Sequence, residues 1–290
     1  MPNNSELKKL LLAFRRNVEP AGISRAYSST DSSKGALLDE AQVLFSHLAK
    51  NSSLTLTQQL IISDDIFNKG TYQSRLTIWK KLHSRYFPTY ATNSSSRGET
   101  TIETYHPLVA LFRANASDDL KRGALYYHYA LSNLALYELT TEYLFGQYEK
   151  GAALITSSDV FEFLRAKTQY HPEIKGWSPQ TCRALVSHYL TALRDFGILQ
   201  GRSRKRIRRP AVDDQVFLYI AIFLRDCGKS PREIVESKDF KLLLLSPQQV
   251  ENKMADLNKL KKIKFEKSLY AVILDLPWGS LLEFINNLGR

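Results

Sequence analysis

The sequence predicts a mainly α fold, with helix-turn-helix and winged-helix units around a helical middle and short β-hairpin wings. Three observations carry this expectation. Apolar residues recur at helical spacing through most of the 290 residues. Twice the chain repeats one order of parts, at Ser178-Pro179-Gln180 and at Ser246-Pro247-Gln248: a start signal, an amphipathic helix, a basic turn and a strand. Finally, six of the eight residues from Arg202 to Arg209 are basic: Arg202, Arg204, Lys205, Arg206, Arg208 and Arg209. They follow the helix of Thr181 to Phe196 and the short apolar stretch Gly197-Ile198-Leu199. Helix, short strand, basic hairpin tip and return strand is the layout of a winged helix, with the charge where a wing meets a phosphate backbone.

The chain divides into six stretches. The leader, 1–35, holds a basic amphipathic piece, Leu7 to Arg16, which reads as a helix that docks elsewhere, and then the Ser-rich loop after Tyr27. In 36–88, helices are expected at Ala36 to Lys50, at Thr57 to Ile62 and from a Thr71 cap through Trp79 to Phe87, where Pro88 ends the pattern. Three helices with a turn before the third suggest a helix-turn-helix-like unit. The Ser- and Thr-rich stretch in 89–107 reads as a polar linker or loop. The helical middle, 108–157, carries one stripe from Leu120 to Tyr137 with many tyrosines. At helical spacing these read as packing, and stacking on bases is the sharper alternative. The fifth stretch, 158–211, starts a helix at Ser158-Asp159, then a second at Ser178-Pro179, and ends in the basic wing. The last, 212–290, reads as a second winged-helix-like unit with a Lys-rich turn at Lys259 to Lys264, a strand at Leu269 to Leu276 and a closing helix at Trp278 to Leu288.

Composition narrows the class. Lys and Arg number 40 against 29 Asp and Glu, a net charge of +11, so the expected partners are polyanions. The two cysteines, Cys182 and Cys227, fall in helical patterns and offer no disulfide framework, which fits a cytoplasmic compartment. No signal peptide is evident. The longest apolar run, Val216 to Leu224, is far short of the ~20 residues a membrane-spanning helix needs and reads as a buried core helix.

Catalytic signatures are missing from the sequence. Gly228-Lys229-Ser230 resembles the end of a phosphate loop, but Phe223 occupies the earlier glycine position. The six histidines lack metal-site spacing, so neither metal nor cofactor is expected. The acid pairs Asp64-Asp65, Asp118-Asp119 and Asp213-Asp214 each read as a helix start. The expected site is therefore the wing together with Arg183, Ser187, Thr191 and Arg194, the polar face of the preceding helix. That face reads equally as a major-groove surface and as a plain solvent face. Double-stranded DNA is the leading partner. RNA, or a docking role for other proteins through the aromatic middle, is the alternative.

The order of motifs resembles the BrxA family, small accessory proteins of BREX bacteriophage-exclusion systems. The matching pieces are Tyr27-Ser28 with Gly35 to Glu40, and the helix ending Trp79-Lys80-Lys81-Leu82-His83-Ser84-Arg85. Further pieces are Ser158 to Phe163, Trp177-Ser178-Pro179, Leu193 to Leu199, and Lys238 to Lys241 before Ser246-Pro247. The resemblance implies a helical, winged-helix architecture, DNA binding, no known catalysis and other BREX-system proteins as partners. Members sometimes carry an inner-membrane label, which the lengths of the apolar runs here contradict. The leader before Tyr27 and the insert at 89–104 look like departures from the family.

Overall fold

Short polar side chains set where most of the helices of the computed structural model begin. It describes residues 4–18, 26–30, 34–88, 106–202, 204–208 and 212–288, and these are mainly helical. The leader helix is α1 (Asn4–Arg15), and the helix-turn-helix-like stretch supplies α2 (Leu38–Asn51), α3 (Leu54–Ile62) and α4 (Tyr72–Tyr86). Ser53 accepts from Leu56 N at 3.2 Å and Thr71 from Ser74 N at 3.3 Å, each satisfying a first-turn amide. Asp64-Asp65 follows α3 instead of starting a helix. Asp65 has φ 52°, and its carboxylate accepts from Lys69 N and Gly70 N at 2.8 and 3.0 Å, so it clasps the loop that leads to α4.

The helical middle is not one continuous stripe. It comprises α5 (Pro107–Arg113), α6 (Asp118–Ser132), α7 (Leu134–Glu138), a π-helical turn at Leu139–Leu144, and α8 (Phe145–Glu149). Asn133 makes the break: its backbone is extended and its Oδ1 caps α7 by accepting from Leu136 N at 2.9 Å. The tyrosines are core. Tyr126, Tyr127, Tyr129, Tyr137 and Tyr143 are all buried, so the expectation that an exposed aromatic middle could dock partners is overturned. Tyr126, Tyr127 and Tyr129 bury because α1, α4 and α11 (Asp214–Asp226) cover α6, while Tyr137 donates to Asp239 and Tyr143 lies against Phe163. The apolar run in α11 is the buried core helix the sequence predicts, and both cysteines are buried thiols.

After α8 the chain forms β1 (Leu154–Ile155), α9 (Ser157–Ala166), two short 3-10 turns, α10 (Pro179–Asp195), β2 (Leu199–Gln200) and β3 (Lys205–Ile207). The start of α9 differs from expectation. Thr156 is the N-cap and Asp159 sits at N3, closing a capping box in which each side chain bonds the other's backbone. The three strands form an antiparallel sheet in the order β1-β3-β2.

The C-terminal stretch holds α11, α12 (Pro231–Val235), a 3-10 turn at Lys238–Leu243, α13 (Pro247–Lys259), β4 (Lys264–Lys267), β5 (Val272–Asp275) and α14 (Leu281–Asn286). Its sheet is a two-stranded hairpin. The expected strand from Leu269 is shorter than predicted. Leu269 and Tyr270 form the hairpin tip, 90% and 92% exposed, and Lys264 already belongs to β4. The closing helix starts at Leu281, because Ser280 caps it.

Leu7, Leu10, Leu11 and Phe14 bury one face of α1 against α6 and α11. Arg15 ends that helix inside the protein and pairs with the wholly buried Asp239 of the 3-10 turn. Asp239 also accepts from Tyr127 Oη at 2.5 Å and Tyr137 Oη at 2.7 Å. Burial pushes its carboxyl upward, but Arg15 and the two phenols outweigh burial and hold it below the usual carboxylate range. A depressed carboxylate stabilises the fold above its unfolded pKa of about 3.9, and that stability is lost as pH falls through the folded value. Asp239→Asn leaves Arg15 buried without its counter-charge and should cost about 3–5 kcal/mol in denaturant unfolding at neutral pH. The deficit should shrink as pH drops below the unfolded carboxylate pKa. An equal deficit at every pH would contradict the ionised pair.

Candidate nucleic-acid interface

The start and stop of α10 follow from local sequence. Ser178 caps it by accepting from Thr181 N at 3.1 Å, and Pro179 takes a first-turn position where no amide is lost. Cys182, Leu185, Val186, Tyr189, Leu190 and Leu193 bury the inner face. Arg183 and Ser187 are exposed on the outer face, while Thr191 and Arg194 are half-buried. Gly197, at φ 82°, closes the C-terminus. Its N–H reaches Arg194 O at 2.9 Å, and Ile198 N reaches Leu193 O at 2.8 Å. The chain then turns straight into β2.

In the sheet, β3 lies between β1 and β2. Arg206 is opposite Leu154 on one side and Gln200 on the other, and Ile155 is opposite Lys205. Two of the six basic residues, Lys205 and Arg206, therefore belong to a strand and not to a hairpin tip. Successive strand side chains face opposite ways, and this sorts the cations. Arg202, Arg204, Arg206 and Arg208 are exposed, and among the described residues none of the four forms an ion pair. Lys205 is a correction to the expected wing. It is buried, and its Nζ donates to Arg202 O at 3.1 Å. Burial lowers its pKa, the charge of Arg194 lowers it further, and Asp195 opposes them. Arg209 lies outside the described residues.

A groove of about 790 Å³ runs between α9, α10 and the sheet. It gathers Arg183, Ser187, Thr191 and Arg194 from α10 with Arg202 and Lys205 from the β2–β3 hairpin, six of the residues singled out in the sequence. Arg204, Arg206 and Arg208 lie outside it. Within it Arg194 is partly neutralised, because Nε and Nη2 both bond Asp195 Oδ1, at 3.2 and 2.8 Å. Ser157, Ser158, Phe161 and Glu162 of α9 also line the groove, and the sequence reading missed them. The Arg183 guanidinium lies 6.0 Å from the centre of the Phe161 ring. The sequence marks Ser158, Phe161 and Glu162 only as part of a helix start and of the family-like piece; the packing of α9 on α10 is what brings them and Ser157 to the groove. Among the described residues no group of three or more His, Cys, Asp or Glu side chains could hold a metal ion.

Fold and groove together define a mainly helical protein with an arginine-rich hairpin that suits a polyanion. The family model for BrxA matches residues 25–222, more than half of the chain, and the chain belongs to the BrxA family. Membership associates it with BREX phage defence and suggests other BREX proteins as its partners. The matched stretch contains the groove and the β2–β3 hairpin and ends within α11, so Lys238 to Lys241 and Ser246-Pro247 fall outside it. No curated protein matches the chain. Among the described residues no helix is long and apolar enough to cross a membrane.

The turn between β2 and β3 depends on Gly201, at φ 99°. A Cβ there would sit 2.3 Å from Arg204 O, a backbone atom that cannot swing away. Gly201→Ala should cost about 1–3 kcal/mol in thermal or denaturant unfolding, the cost of forcing a side chain into this backbone region. Gly176→Ala is the control, since nothing lies within 4 Å of its added Cβ. Equal stability of the two variants would contradict the described turn.

Proposed function

We propose that the chain is a non-catalytic, cytoplasmic DNA-binding accessory protein of a BREX-type phage-defence system that holds duplex DNA mainly through phosphate contacts. In this reading β1, α9, α10, β2 and β3 form a winged helix, with α10 as the recognition helix and the β2–β3 hairpin as the wing. The antiparallel order β1-β3-β2, with two helices between β1 and β2, supports it. The observation that carries the reading is the set of exposed arginines on the wing, Arg202, Arg204, Arg206 and Arg208, which form no ion pair among the described residues. Protein carboxylates neutralise many surface cations, as Asp214 does for Lys253 and Lys262. These four remain available to phosphates. Phosphate contacts position a protein on a duplex but carry no sequence information directly, so little sequence preference is expected.

A second reading, docking to another protein of the defence system, is favoured by one observation. The exposed Leu269 and Tyr270 crown a hairpin whose lysines are largely paired, Lys264 with Glu266 and Lys267 with Glu251. If this tip serves a protein partner, Leu269→Ser with Tyr270→Ser should abolish co-purification of that partner and leave DNA affinity unchanged.

Salt titration of duplex binding tests the first reading. Each phosphate contact on duplex DNA contributes about −0.9 to the log–log slope. Replacing Arg204, Arg206 and Arg208 by Ala should therefore flatten the slope by about 2.7 and weaken all sequences alike. An unchanged slope would remove the wing from the interface, and tighter binding to structured RNA than to duplex DNA would replace the partner. Arg183→Ala examines the helix face separately. A loss of about 1–3 kcal/mol on one sequence alone marks base readout. A uniform loss marks a phosphate contact, and no loss marks a solvent face.

A further inference from the structure

Lys205 stands apart from the other wing cations. It is 9% exposed, lines the groove, and donates to a backbone carbonyl, Arg202 O. Among the described residues no carboxylate forms an ion pair with it. Asp195, the acid whose charge acts on it, is already held by two nitrogens of Arg194. Taking an ammonium out of water without a counter-charge is costly, and its lowered pKa records that cost. A duplex backbone lying on the exposed arginines would not need this side chain. An anion entering the groove would supply the charge it lacks.

The rest of the groove describes the anion. Arg183 and Arg202 add cations, and Ser157 and Ser158 add hydroxyls from the first turn of α9. Phe161, partly buried, gives the lining an apolar surface, with Ile155, Val186 and Leu190 almost wholly buried, and Glu162 is a carboxylate of the same lining. An inorganic ion has no use for such a surface. A nucleotide has: its phosphate needs the cation and its base needs an apolar wall. A carboxylate can also accept from an exocyclic amine of the base. The volume, about 790 Å³, is within the range of small-ligand sites.

We propose that the groove between α9, α10 and β3 binds one nucleotide, its phosphate on Lys205 and its base against Phe161. The nucleotide is either free or an unstacked unit of a bound strand, and only the second source rests on the DNA-binding reading. The test uses the full chain with four probes: deoxyadenosine monophosphate, inorganic phosphate, a fully paired duplex, and the same duplex with one unpaired adenosine. Base–aromatic contacts are worth about 1–3 kcal/mol per base, or about tenfold in affinity at least. A free-nucleotide site should bind the monophosphate at least about tenfold tighter than inorganic phosphate. A strand site should favour the duplex with the unpaired adenosine over the paired one by a similar factor. Lys205→Met should erase the margin in either case and not lower the melting temperature, because it removes a buried ammonium that forms no ion pair among the described residues. Should Lys205→Met melt earlier, Phe161→Leu, which alters no charge, must still erase the margin. Absence of both margins in the wild type, or persistence of a margin in either variant, would overturn the proposal. Failure of the wild type to bind the paired duplex would remove the duplex interface instead, and the monophosphate arm would still decide this site.

Discussion

Asp239 is wholly buried with a charged carboxylate, and the layout of the molecule follows from how that charge is met. Arg15 comes from the end of α1, Tyr127 from α6 and Tyr137 from α7, while Asp239 itself lies in the C-terminal 3-10 turn. Three distant stretches of chain, one of them the adjoining α6 and α7, must meet at one carboxylate. A buried ion pair is weak evidence for stability, since good apolar packing can replace it. Here it imposes registration: α1 must end at the depth of the carboxylate, and the tyrosines of the middle must turn inward. The π-helical turn after α7 packs on both the 3-10 turn and α9, so that registration passes to the groove.

A second polar clasp fixes the groove-bearing part. Glu138 of α7 accepts from Lys167 Nζ at 3.0 Å, from Tyr27 Oη at 2.9 Å, and contacts His171 Nε2 at 3.0 Å. Tyr27 stacks on His171 with ring centres 3.9 Å apart. The residues that follow α9 are thus tied to the middle and to the start of the matched family region. An interface built on α9 and α10 is thereby held on a rigid support, as precise recognition requires.

Local signals were legible in the sequence and long-range ones were not. Ser178-Pro179, Thr71 and Ser246 announce their helices because a cap acts within three residues. The same logic misplaces Asp65, whose carboxylate serves a loop, and misses Asn133, which interrupts an otherwise apolar stripe. Arg15 and Asp239 are 224 positions apart, and no periodicity relates them. The basic run was legible as charge, but its division was not. Whether Lys205 or Arg206 faces inward depends on the register of β3 with β1 and β2, and a slip of one residue would exchange them. Of the site, the sequence shows Arg183, Ser187, Thr191, Arg194 and the wing; the facing wall of α9 emerges only in three dimensions.

In the proposed function one face, α10 with the β2–β3 hairpin, receives nucleic acid. Amide hydrogen exchange of the full chain with and without duplex DNA tests this most directly, because it reads every described element at once. Slowed exchange is expected in α10 and in the described residues of 199–208, with the helical middle and the β4–β5 hairpin unchanged. Protection confined to the β4–β5 hairpin or to α2–α4, with α10 and the wing exchanging as in the free protein, would contradict it.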